Sequence, residues 1–279
     1  MREGHPFFLQ LSYYAVHSRP QALAATIRRQ TGGGGSAVFA AMTEDLDTCV
    51  GALRAKLTEL GIADRTYIIY MSDNGGRSEA LKGGKALCDE GGIRVPLIVQ
   101  GPGIRGGNYA HVPVVGYDIF PTVLDLAAPG FALPKGVEGG SWKPVLLGGG
   151  AGAVARPINR LVWHHDVEIE HPQTAMRQGD LKLVHHWDTK QDFLYDLAAD
   201  LGERNNLARE RPEVTARMLA ELKAHVRAGL GEQKFAALNT GGDKPYNPQA
   251  QIMGNGAQPF MVGPTLDGFP IRWIDVMPV

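Results

Sequence analysis

Cysteine is nearly absent from this chain. Cys49 and Cys88 are the only two in 279 residues, too few for a disulfide framework and not spaced as a metal-binding pair. Cysteine usage therefore leaves the redox compartment open. Long apolar runs are missing too: no stretch approaches the ~20 residues needed to span a bilayer, so no membrane partner is expected. Net charge is small, 28 Lys+Arg against 29 Asp+Glu for a formal −1, which argues against a nucleic-acid surface or a polybasic membrane patch. The start, "MREGHPFFLQLSYYAVH", lacks the layout of a signal peptide: its apolar residues read as a strand and no small-residue cleavage site follows. No internal repeats are visible.

What is present is an ordinary globular composition, 44% hydrophobic and 20% charged. A chain of this length can bury one large core, or one core with a satellite domain. Gly (36) and Pro (18) are plentiful and predict many turns and long connections.

"PFFLQLSYYAV" (6–16) has the composition of a buried strand that ends at His17. "GGGG" (32–35) reads as a flexible break. Phe39, Met42, Leu46, Cys49, Leu53, Leu57 and Leu60 then recur every three or four residues, one apolar helix face stopped by Gly61. On that face Cys49 is expected to be a buried, inert thiol. "RTYIIYMS" (65–72) and "IRVPLIVQGPG" (93–103) are the next strands, and "YDIFPTVLDLA" (117–127) reads as a helix with Pro near its first turn. Near-continuous apolar strands alternating with helices predict an α/β fold with a mostly parallel sheet covered on both faces. Residues 129–156 are rich in Gly, Pro and Ala and suit a long connection.

Beyond that point the texture changes. "NRLVWHH", "TAMRQ", "LKLVHHW" and "DFLYDL" are short strands split by turn signals such as "QGD", which predicts a small antiparallel sheet. Val214, Met218, Leu222 and Val226 mark a second amphipathic helix with Pro212 near its start. The expected organisation is a main α/β domain over 1–150, a smaller antiparallel α+β subdomain over 151–235 and an extended tail over 236–279.

Ligands of a parallel sheet bind outside the carboxyl ends of its strands. Two strands end here in polar residues, one at His17 and one at Asp73-Asn74 of "SDNGG". Asp and Asn offer hard oxygens that suit Ca²⁺ or Mg²⁺, although the pentapeptide alone is better explained as a metal-free Asp-Asn-Gly turn. In "LKGGKALCDEGGIRVP" (81–96) two Gly pairs bracket Lys85 and would let the backbone approach an anion, while the Lys suits sulfate or phosphate oxygens. Taken alone, that segment is better explained as a solvated loop with surface lysines. The His164–His165 and His185–His186 pairs fall in short strands, where alternation between core and solvent is preferred to a transition-metal site. His171 has no supporting context, and Arg94 and Glu90 are expected to pair structurally.

The order strand-His, helix, strand-Asp-Asn, Gly-Lys loop, strand resembles the type I sulfatases of the alkaline-phosphatase-like superfamily. The stretches that carry the resemblance are "PFFLQLSYYAVH", "AAMTEDLDTCVGALRAKLTELGIADRT", "SDNGG", "LKGGKALCDEGGIRVPLIVQGPG", "YDIFPTVLDLA" and "MRQGDLKLVHHWDTKQDFLYDLAADLGERNNL". The resemblance implies a sulfuric ester hydrolase acting on a sulfate ester, either a small molecule or a sulfated glycan. It implies Asp73 and Asn74 as ligands of a divalent cation, Ca²⁺ with Mg²⁺ as the alternative. It also implies His17 beside the leaving-group oxygen and Lys85 on the sulfate. It suggests a periplasmic, secreted or lysosomal protein, and it makes the "YDL…D…E..NL" run (195–207) a landmark whose expected role is turn and helix-capping chemistry.

Departures from the family matter as much. Its nucleophile is a formylglycine made from Cys or Ser in a C/S-x-P-x-R motif. Here Cys49 is followed by "VGAL" and Cys88 by "DEGG", while "SRPQA" (18–22) has Ala22 where Arg is required. The formylglycine is therefore not encoded in these residues, nor are the paired acidic ligands that follow the family's first strand. The chain is expected to correspond to the C-terminal portion of a sulfatase, a fragment or split subunit with a missing N-terminal half, and to be inactive alone. The alternatives are a phosphoesterase or phosphonate hydrolase of the same superfamily and a non-catalytic sulfatase-like binding domain.

Overall fold

The computed structural model describes residues 6–17, 19–30, 35–166 and 171–239. The extended tail expected over 236–279 lies outside these beyond residue 239, as does most of the "GGGG" break. No described helix is long and apolar enough to cross a membrane. By contact the chain divides into two units that interleave in sequence: one holds the residues through Met71 and Leu97–Ala155, the other Ser72–Pro96 and the residues from Arg156 onward.

In the first unit, helices α1 (Ala24–Arg29) and α2 (Gly35–Glu59) are joined by side-chain capping. Asp45 of α2 accepts from the Leu23 amide at 2.8 Å and from the Thr26 hydroxyl at 2.6 Å, satisfying groups at the start of α1 that the short helix cannot pair itself. The apolar stripe of α2 is only partly covered: Met42, Leu46 and Leu57 are buried, whereas Phe39 and Leu60 are exposed. Cys49 is exposed, which corrects the expectation of a buried thiol.

Strands β1 (Ile68–Met71) and β2 (Leu97–Gln100) form a two-stranded antiparallel pair, with Ile68 opposite Gln100 and Met71 opposite Leu97. The mostly parallel sheet expected from the apolar runs is therefore not what the described residues form. A parallel pair needs a crossover that carries the chain back to the starting end. Here residues 72–96 leave β1 and re-enter β2 at the same end, as in a hairpin. Nor do residues 6–16 form the expected buried strand. Among the described residues no strand pairs with them, and Phe7, Phe8, Leu9, Tyr14 and Val16 are all exposed. Composition favours a strand there, but a ladder needs a partner.

The long 129–156 connection is more ordered than its composition suggests. Asp118, at the start of α4 (Ile119–Ala127), is fully buried and accepts from the Val115 and Gly140 amides, each at 2.9 Å. Thr122 accepts from the Trp142 amide at 2.9 Å, which seats the buried Trp142 and starts the short helix α5 (Lys143–Leu147).

The second unit contains the predicted four-stranded antiparallel sheet: β3 (Leu161–His165), β4 (Gln173–Gln178), β5 (Leu181–His186) and β6 (Asp192–Asp196), in sequential order. The β4–β5 hairpin turns at Gly179-Asp180 with Gly179 at φ +58°, the first-position glycine that a tight two-residue turn requires. Side chains alternate across the sheet. Met176, Leu183 and Leu194 face one side with Met218, Leu222 and Val226 of α6 (Pro212–Leu230) and Phe235 of α7 (Glu232–Asn239). Ala175, Val184 and Tyr195 face the other, where the partner is Cys88, carried by the Gly- and Lys-rich loop. That loop is thus a cover for the small sheet and not a solvated excursion.

Candidate functional site

The chain leaves β1 directly into Ser72-Asp73-Asn74. The Asn74 amide donates to Asp73 Oδ1 at 2.8 Å, and Asn74 Nδ2 donates to the Gly75 carbonyl at 2.8 Å, so the pair sits in a tight turn. Asp73 is exposed and Asn74 half-buried. The turn is docked: the Gly75 amide donates to the Gly92 carbonyl at 2.8 Å, and a Cβ on Gly75 would stand 2.1 Å from the Gly91 carbonyl oxygen. A Cβ on Gly92 would likewise stand 2.1 Å from the Leu87 carbonyl oxygen. These glycines are needed because backbone packs on backbone within the segment.

Lys85 sits on the loop that receives this turn and is exposed. The next residue, Ala86, has φ +72°, a left-handed conformation that a non-glycine residue adopts only at a cost. The turn is held by its neighbours. The Leu87 amide bonds the Gly84 carbonyl at 3.0 Å, and the Cys88 amide bonds Gln173 Oε1, on buried strand β4, at 3.0 Å. Of the four residues singled out from sequence, Asp73, Asn74 and Lys85 therefore lie on two loops of the second unit that are hydrogen-bonded to each other. His17 belongs to the first unit, exposed, with Nδ1 3.2 Å from the Tyr14 hydroxyl.

Beneath the Lys85 loop lies a charge network that sequence reasoning missed. Lys182, on the loop-facing side of β5, has no exposed surface. Its ammonium nitrogen is 2.9 Å from Glu90 Oε1 and 2.8 Å from Glu203 Oε1. Glu203 Oε2 also accepts the Glu90 amide at 2.7 Å, at the start of α3 (Glu90–Ile93), and Arg94 bonds Glu90 Oε2 at 2.7 Å. Burial alone would push the Glu90 carboxyl up, but Lys182 and Arg94 outweigh it and hold the group below the usual carboxylate range. For Glu203 burial prevails and the carboxyl is raised. Glu90–Arg94 is the structural pair expected from sequence. The larger partner set is new: Glu203 takes the amide at the start of α3 as well as pairing with Lys182, while Asp200 and Asn206 of the same run accept turn amides as expected. The available signal was a Lys at an inward strand position of "LKLV", where only a paired ion can be buried.

Lys82 extends the network at the surface. Its ammonium lies 2.9 Å from Asp89 Oδ1 and 2.8 Å from the Tyr195 hydroxyl. The His185–His186 pair divides as alternation requires: His185 is buried against Asp192 at 2.8 Å, while His186 is half-buried on the loop-facing side; His164 and His165 are both half-buried. His164 bonds Thr174 Oγ1 at 2.7 Å, a hydroxyl shared with the Trp187 indole, and burial lowers its pKa. It is committed to the sheet.

Asp73 and Asn74 supply hard oxygen donors, which fit Ca²⁺ or Mg²⁺ in kind. They are two of the six to eight oxygens that Ca²⁺ takes.

Comparison with known proteins gives a consistent picture. The family model described as Sulfatase matches residues 1–129, and that of the N-sulphoglucosamine sulphohydrolase C-terminal region matches residues 84–228. Arylsulfatase K of Mus musculus is 31% identical over 68% of this chain and 35% of its own length. Arylsulfatase A of Homo sapiens is 30% identical over 82% of this chain and 51% of its own length. The chain thus spans about a third to a half of the curated relatives it matches. Among solved structures, Ps i-CgsB in complex with k-i-k-neocarrahexaose superimposes with TM-score 0.69 at 22% identity, covering 90% of this chain and 54% of that one. BT4656 in complex with D-glucosamine-2-N,6-O-disulfate gives TM-score 0.57 at 27% identity, covering 75% and 42%. A phosphonate monoester hydrolase from Silicibacter pomeroyi gives TM-score 0.54 at 23% identity, covering 69% and 40%. The fold is that of these enzymes.

Proposed function

We propose, for a chain that belongs to the sulfatase family, that it supplies the sulfate-holding and part of the cation-holding apparatus of a sulfuric ester hydrolase acting on sulfated sugars. The observation that carries this reading is the docking of the Asp73-Asn74 turn onto the Lys85 loop through Gly75 and Gly92. Hard oxygens and an exposed ammonium on two mutually fixed loops suit an oxyanion that needs its charge neutralised. Sulfated sugar as the substrate class is supported by the disulfated glucosamine bound to BT4656.

Lys85 binds a sulfate oxygen, and the strained Ala86 with the buried Glu90–Lys182–Glu203 network fixes the loop that presents it. Asp73 and Asn74 would hold the divalent cation, Ca²⁺ or Mg²⁺, which supplies further charge neutralisation on the sulfate when bound. His17 donates a proton to the departing oxygen. The nucleophile is not among these residues, because none of the chain's Cys or Ser stands in C/S-x-P-x-R. The mostly parallel sheet belongs to the same proposal: exposed apolar residues at 7–16 and on β2, where Ile98 is 64% exposed, suit strands flanked by others.

The test joins residues 1–279 to the nucleophile-bearing segment of a matched relative, confirms a cooperative unfolding transition, and measures kcat/KM for an aryl sulfate and an aryl phosphate. The sulfate should be preferred, and Lys85→Ala and His17→Ala should each lower its kcat/KM by about 100-fold or more. Full activity in both variants would overturn the assignment, and preference for the phosphate would favour the phosphoesterase alternative.

A further inference from the structure

At one end of the small sheet, on its loop-facing side, three metal-ligating side chains meet. His171 precedes β4, His186 closes β5, and Asp188 follows two residues later. One ligand atom from each lies within 4.8 Å of the others. His171 Nδ1 is 2.7 Å from Asp188 Oδ2, and the two imidazoles stack with centroids 5.1 Å apart and planes 21° apart.

We propose that His171, His186 and Asp188 form a binding site for one zinc-class divalent ion, with the fourth position open to water or a ligand. The donor set is two imidazoles and one carboxylate, which zinc accepts and which differs in kind from an all-oxygen calcium site. Ligand atoms around a tetrahedral zinc stand about 3.4 Å apart, for bonds of about 2.1 Å. The ligand atoms here, within 4.8 Å of one another, would draw closer on binding.

The frame is already fixed. Gln173 pairs with His186 in the β4–β5 ladder, and the Trp187 amide bonds the Pro172 carbonyl at 2.8 Å, so the segments carrying the three ligands are tied residue by residue. A metal ion needs its ligands deprotonated, and both groups lean that way. Burial, then the neighbouring His171, lowers the pKa of His186 and leaves its ring neutral. Asp188 is held ionised: burial opposes this but is outweighed by the hydrogen bonds from His171 and the backbone amides. Among the described residues, Lys82 and Asp89 also act on His186, and they pair with each other at 2.9 Å and so add little net repulsion. The unmetallated alternative is a His–Asp hydrogen bond with a stacked second ring, which would bind no ion.

The test titrates the full 279-residue chain with Zn²⁺ by isothermal calorimetry and repeats it on His171→Ala, His186→Ala, Asp188→Asn and, as a control on the same sheet, His165→Ala. Thermal unfolding is followed with and without Zn²⁺. The proposal expects one Zn²⁺ per chain and a melting temperature raised by the ion. Affinity should fall at least tenfold in each ligand variant and stay unchanged in His165→Ala. Excess Ca²⁺ should not compete. An absence of Zn²⁺ binding, or binding indifferent to His171 and His186, would overturn it. So would equal loss in His165→Ala, since the ion would then belong to the paired histidines elsewhere on the sheet.

Discussion

At the scale of single residues, the two cysteines show how local environment divides one chemistry into two behaviours. Burial against the small sheet pushes the Cys88 thiol up to about 12, so almost no thiolate exists at neutral pH and no reagent reaches it. Cys49 is exposed on α2. A colorimetric thiol reagent at pH 8 should titrate one cysteine promptly in the folded chain and the second only after denaturant is added, with Cys49→Ser abolishing the prompt reaction. Prompt reaction of both thiols would contradict the packing of the Lys85 loop on the sheet. Sequence periodicity placed Cys49 on the apolar stripe of α2 but could not say that this position stays exposed. The polar turn at Asp73-Asn74 was legible because an acid, an amide and two glycines after an apolar run have few other uses. The role of Gly75 was not, because the Gly91 carbonyl that excludes a side chain there comes from a segment 16 residues further on.

Between elements, the Lys85 loop is held by ions whose partners are far apart in sequence, Lys182 to Glu90 across 92 residues and the Glu90 amide to Glu203 across 113. Such pairs leave no local pattern, whereas the small sheet was readable because each strand shows its own two-residue alternation and the β4–β5 turn its own glycine. Lys182→Met keeps the volume but leaves two buried carboxylates without their shared cation. The expected cost is about 3–5 kcal/mol, read as a lowered urea midpoint with an unchanged slope, and protease cleavage within residues 82–92 should rise in parallel. A loss below about 1 kcal/mol would mean that Arg94 alone carries Glu90. The antiparallel β1–β2 pair escaped sequence reading for the opposite reason. Apolar runs report burial, while strand direction is set by the path of the 25 residues between them, Ser72 to Pro96.

At the scale of the whole molecule, two units interleave in sequence, and the segment between β1 and β2 carries Asp73, Asn74 and Lys85 with the small sheet as its support. The central claim is that these three residues act as one oxyanion and cation site. A cation and an anion bound at one site must strengthen each other by the same factor. The direct measurement is calorimetric titration of inorganic sulfate into the 279-residue chain, without Ca²⁺ and at saturating Ca²⁺. Ca²⁺ should raise sulfate affinity by about fivefold or more. Asp73→Asn should erase that increase, and Lys85→Ala should weaken sulfate binding in both conditions. Sulfate binding that ignores Ca²⁺ and survives both substitutions unchanged would contradict the account.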